Sequence, residues 1–97
     1  MLYDPKRDPL SLDALEYWAS QQPARQHYDY RDYHQCFAAQ YCAHIGVDYG
    51  VPAPLHMGAA AYGDFMTQLE SIGASLPHTF GAALKRVRWM KELVASV

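Results

Sequence analysis

The sequence predicts an all-α fold, a compact bundle of about four short helices with an extended Pro/Gly-rich connector near 47–57. Two observations carry this expectation. Apolar residues recur at helical spacing in four segments, and those segments are separated by turn residues, the connector at 47–57 being extended with room for one short strand. With 97 residues, 51% hydrophobic and 19% charged, the chain reads as one globular domain over 1–97, in which 1–10 form an extended N-terminal arm.

The first helix is expected over Ser11–Gln22. Ser11 is placed to cap it, Asp13 and Glu16 suit its positive end, Leu12, Leu15 and Trp18 share a face, and Pro23 stops it. The second is expected over Tyr30–Ile45, capped by Asp29 or Asp32 and ended by Gly46. Its stripe is Phe37, Ala38, Tyr41, Cys42 and Ile45, with His34 inside the apolar arc as a core histidine. The third is expected over Gly58–Ile72 with Gly73 closing it, its core side being Tyr62, Phe65, Met66, Leu69 and Ile72. The fourth starts near Pro77, a favoured first-turn residue, and reaches Ala95. Val87, Met90, Leu93, Val94 and Val97 line its core side, with Trp89 at the edge, and Lys85, Arg88, Lys91 and Glu92 lie opposite. Arg86 falls about 20° from Leu93 and Val97 on the helical wheel, inside the apolar arc. Its stem is expected over the core with the guanidinium in water; the alternative is a guanidinium held by a carboxylate or an aromatic face from another helix.

Several chemistries are excluded at this level. Cys36 and Cys42 on one helix would lie about 9 Å apart along its axis, too far for a disulfide, so two buried thiols and a reducing, cytoplasmic setting are expected. The stretch Met1–Pro9 is charged and carries two prolines, unlike the apolar heart of a signal peptide, and no apolar run reaches membrane-spanning length. His34, Cys36, Cys42 and His44 mimic a symmetric ligand set. On a helix, however, they point to all sides, so no metal site is expected. No nucleophile elbow or phosphate-binding glycine loop occurs, and neither cysteine stands at a recognisable helix start. A non-catalytic protein without cofactors is therefore expected.

Two segments carry functional expectations. His27–His34 packs three of the 8 tyrosines with Asp29, Arg31 and Asp32. Tyr30 and Tyr41 are expected in the core with Phe37. Tyr28 and Tyr33 fall off the stripe and, with Asp29 and Asp32, are expected to contact a partner protein, tyrosine being a frequent interface residue. Lys85, Arg88 and Lys91 form a second contact or a solvated face. Charge is distributed unevenly: residues 35–84 contain no Lys or Arg, while Lys85, Arg86, Arg88 and Lys91 supply half of the 8 basic residues.

The alternative is DNA binding. The stretch 65–91 has the outline of a helix-turn-helix, which would put His78 and Thr79 near bases and Lys85, Arg86, Arg88 or Lys91 near phosphates. Against it stand Leu69 where a small residue usually sits, an apolar start to the second helix, and a net charge of −2. Pairing of two copies is compatible with so small a bundle, though nothing in the sequence sets a symmetry axis.

Overall fold

The computed structural model describes residues 8–32, 34–49 and 58–95. Four helices follow one another: α1 (Leu12–Ser20), α2 (Phe37–Ile45), α3 (Ala59–Ala74) and α4 (Phe80–Ala95). Among the described residues there is no strand, only an isolated antiparallel bridge between His27 and Thr79. Residues 1–7 of the expected arm, the connector from residue 50 to 57, Tyr33 and Val97 lie outside the described residues.

Ser11 caps α1 as expected, its hydroxyl accepting the Ala14 N–H at 3.1 Å. Gly46 ends α2 in the left-handed region (φ 81°), where a side chain would be strained. The start of α2 differs from expectation. Asp29 accepts the Arg31 N–H, Asp32 accepts the His34 N–H, and the Asp32 carbonyl accepts the Cys36 N–H. These aspartates hold the described residues between Asp29 and Cys36 in turns, the local alternative that Asp side chains offer the backbone. The helix therefore begins only at Phe37, Cys36 caps it, and His34 is exposed instead of buried.

The core is built on four aromatic rings. Trp18 of α1, Tyr28 of the following loop, Phe37 of α2 and Phe80 of α4 pack together, with Trp18–Phe37 centroids 5.5 Å apart, Tyr28–Phe80 5.5 Å and Phe37–Phe80 6.0 Å. α3 adds Phe65, 5.8 Å from Tyr41, together with Leu69 and Ile72. Gly73 does not end α3. It lies inside the helix and is buried because a Cβ there would come within 3.1 Å of the Phe37 Cβ, an atom held by its own backbone. Along α4, Phe80, Ala83 and Val87 are fully buried and Leu84 and Met90 partly so; Leu93 and Val94 lie exposed beyond the packed region.

The entry to α4 decides the shape of the candidate site. Pro77 stands before the helix, after a cis Leu76–Pro77 bond, and Thr79 takes the capping place, its hydroxyl accepting the Ala82 N–H. The 24–28 loop is strapped across this end. Phe80 N–H donates to the Gln26 carbonyl (3.0 Å), Gly81 N–H to the Ala24 carbonyl (2.9 Å) and Tyr28 N–H to the His78 carbonyl (3.1 Å). The first two satisfy amides that the start of α4 leaves open, and the third ties the loop to the residue two before the helix. The approach is so close that a Cβ on Gly81 would sit 2.9 Å from the Ala24 oxygen.

Candidate functional site: an aromatic face around the turn between α3 and α4

Tyr28, expected on the surface, is a core residue with 4% exposure. Its hydroxyl donates to the Gly73 carbonyl at 2.7 Å and accepts from Arg86 Nη2 at 3.1 Å. Burial pushes its pKa up, while the Arg86 charge and hydrogen bond act the other way. Tyr28 and Tyr30 have exchanged the roles expected of them because the described residues ahead of Phe37 form turns and not helix, so the helical wheel does not apply. Tyr30 is 48% exposed and lies against His78, ring centroids 4.8 Å apart.

Arg86 is held, but by oxygens other than carboxylates. Its guanidinium donates to the Ser75 and Pro77 carbonyls and to the Tyr28 hydroxyl, tying the end of α3 and the turn to the core. Its Nε is buried without a partner among the described residues. Two other basic residues are engaged inside the molecule. Lys91 bridges Asp13 and Glu16 of α1, and Arg88 Nε meets Glu16 at 3.1 Å. The Lys91 hydrogen bond, with Arg88, holds the Glu16 carboxyl below its usual pKa against the effect of burial; Asp13 and Glu16 raise that of Lys91. Arg88 and Lys91 thus spend their charge on packing α1 against α4, and the expected basic face is reduced to Lys85, which has no ion-pair partner among the described residues.

The groups that remain available gather around the turn. Leu76 is 80% exposed and, with Pro77, Ala82, Lys85 and Arg86, lines a shallow depression of about 570 Å³. Trp89, 60% exposed, stands one turn beyond Lys85 and two turns beyond Ala82 on the same side of α4. On the other side of the turn, His78 carries Tyr30. Asp29 is exposed and Asp32 half-buried beside it, each engaged by a local backbone N–H. Sequence reading missed Leu76 and treated Trp89 as an edge residue. Neither position has a signal in the sequence that separates an exposed large apolar side chain from a core one.

The residues of the DNA-reading alternative are placed differently from its requirement. His78 and Thr79 are half-buried under Tyr30 and the 24–28 loop, Thr79 is used as a cap, and Arg86 and Arg88 are bound within the fold. Among the described residues no group of three or more His, Cys, Asp or Glu could hold a metal ion, and no helix is long and apolar enough to cross a membrane.

The two cysteines are free and chemically distinct. Cys36, expected within a helix, is the α2 cap: its sulfur accepts the Ala39 N–H at 3.4 Å, and it lines a cavity beside Tyr30. Cys42 is fully buried with its thiol 3.8 Å from the Met66 sulfur, and burial pushes its pKa up to about 11. In the folded protein Cys36 is expected to react with iodoacetamide at least about tenfold faster than Cys42, because only thiolate reacts and only Cys36 opens to a cavity. Tandem mass spectrometry of the labelled protein reads the two sites, and equal rates would contradict this assignment.

Comparison of the chain with protein families, with curated proteins and with solved structures gives no match.

Proposed function

We propose that this chain is a non-catalytic protein-interaction module of the cytoplasm that binds another protein through the face formed by Tyr30, Leu76, Lys85 and Trp89. One observation carries the reading: Tyr30 and Leu76 lie exposed beside the α3–α4 turn and Trp89 lies exposed two helical turns beyond Ala82 on α4, although the core of the bundle is closed. An exposed apolar group of this kind, rimmed by polar residues, is characteristic of contact surfaces, and Trp and Tyr are the residues that most often dominate their energetics. A small inhibitor, an antitoxin-like or immunity antagonist, a phage-type anti-defence protein and a small subunit of a complex would all use such a surface. The two unpaired thiols agree with a reducing compartment.

The test is affinity capture from the native lysate, with nuclease present, comparing wild type with Trp89→Ala and Tyr17→Ala. Tyr17, on α1, is exposed to the same degree (59%) but lies outside the face. A stoichiometric protein partner is expected with wild type and Tyr17→Ala, and about tenfold less of it with Trp89→Ala, the loss typical of a hot-spot aromatic. Equal capture by all three proteins would reject the face. Recovery of nucleic acid alone in a capture without nuclease, lost on raising salt, would favour the DNA-binding alternative.

A further inference from the structure

A second cavity, of about 370 Å³, opens beside the face just described and differs from it in chemistry. Its floor is apolar, made by Phe37, Ala38 and Ala74. Tyr30 and Tyr49 contribute aromatic walls, and Glu70 stands among its lining residues. Ala74 is the last residue of α3, immediately before the turn that carries Leu76, and Tyr30 belongs to both cavity and face, so the two are continuous.

The electrostatics of this cavity have one sign. Glu70 is the one charged group among its described lining residues, and no Lys or Arg occurs from residue 35 to residue 84. Tyr49 donates its hydroxyl to Glu70 Oε1 at 3.0 Å, which orients the carboxylate and leaves Oε2 without a protein donor among the described residues. A neighbouring depression that shares Tyr30, Cys36 and Tyr49 with the cavity is lined by Arg31 and Asp32, whose opposite charges offset each other, so Glu70 sets the sign within.

We propose that this cavity is a pocket for one arginine side chain of the protein that docks on the adjoining face, a proposal that rests on the interaction reading above. The fit is chemical. The arginine stem is apolar and matches the Phe37, Ala38 and Ala74 floor. Its guanidinium is planar, stacks on aromatic rings and donates in a fork that a carboxylate accepts. Tyr30, Tyr49 and Glu70 provide those partners, and the volume lies in the range of sites that enclose a small ligand group.

The probe is N-acetyl-arginine methylamide, titrated into the full chain labelled with ¹⁵N, with N-acetyl-citrulline methylamide as the uncharged isostere. Arginine is expected to shift the amide signals of residues 36–38 and 70–74 saturably at millimolar concentration. Citrulline is expected to bind roughly fivefold more weakly, since it forfeits the charge-assisted hydrogen bond. Glu70→Gln, which keeps an acceptor for Tyr49, is expected to bring arginine down to the citrulline level, and Trp89→Ala to leave the titration unchanged. Equal responses to the two compounds, or shifts confined to other residues, would overturn the pocket. Selective arginine binding without Trp89-dependent capture would uphold the guanidinium site and reject the docking face; Trp89-dependent capture without selective arginine binding would do the reverse.

Discussion

Phe80→Ala is expected to lower the unfolding free energy by about 3–5 kcal/mol, the usual cost of emptying a core aromatic position. For a chain of this length that corresponds to a fall in melting temperature of roughly 12 °C or more. The size of the effect follows from position. The Phe80 side chain is fully buried at the first residue of α4, and its ring touches Trp18, Tyr28 and Phe37, one from each of the other parts of the aromatic core. A hole there would lie between α1, α2 and α4 and could not be filled by one side chain turning inward. Because small domains retain only about 5–15 kcal/mol in all, the variant would stand near its unfolding threshold. Trp89→Ala removes a larger ring from the same helix, but from a surface position, and is expected to change stability by no more than about 0.5 kcal/mol. Thermal and urea denaturation of the two variants, measured side by side, decide the matter. A loss below about 1 kcal/mol for Phe80→Ala would show that the four rings do not form the core.

The second large effect concerns Tyr28 and Arg86. Tyr28→Phe removes a single oxygen, yet it leaves the Gly73 carbonyl without its donor and one Arg86 N–H without its acceptor. Orphaned buried polar groups of this kind cost about 1–3 kcal/mol. Arg86→Met keeps the apolar stem and removes the donors to Ser75, Pro77 and Tyr28 together. Because the two residues share one hydrogen-bonded unit, the double variant is expected to lose less than the sum of the single losses, with a coupling of about 0.5–3 kcal/mol. Urea unfolding of the four proteins measures this cycle. Were Tyr28 a surface recognition residue, Tyr28→Phe would leave stability within about 0.5 kcal/mol, and the singles would add.

The same pair of residues shows where sequence reading reaches its limit. Tyr28, Tyr30 and Arg86 were each assigned from a helical wheel. For Arg86 the wheel places the residue inside the apolar arc and the structure leaves it half-buried, but the oxygens that hold it were invisible, since Tyr28 lies 58 positions away and Ser75 and Pro77 belong to an irregular turn. For the tyrosines the wheel was the wrong template. Asp29 and Asp32 turn the chain repeatedly before Phe37, and each turn rotates the next side chain by an amount no fixed period describes.

What the sequence determined by itself was the set of local decisions. Four helices follow from apolar periodicity, the α1 cap from Ser11, the end of α2 from Gly46, and the core sides of α1 and α3 from Leu15, Trp18, Phe65, Leu69 and Ile72, because each depends on residues within one or two turns of one another. Only the tertiary structure decided which charges stay unpaired and which rings stay exposed. Whether Lys91 and Arg88 are free depends on Asp13 and Glu16 lying across from them. Whether the start of α4 is open depends on Ala24 and Gln26 covering it, and whether Leu76 and Trp89 are exposed depends on the core closing without them. Those are contacts between residues far apart in the chain, and their physical origin is the competition of all apolar groups for one small core, which no local pattern records.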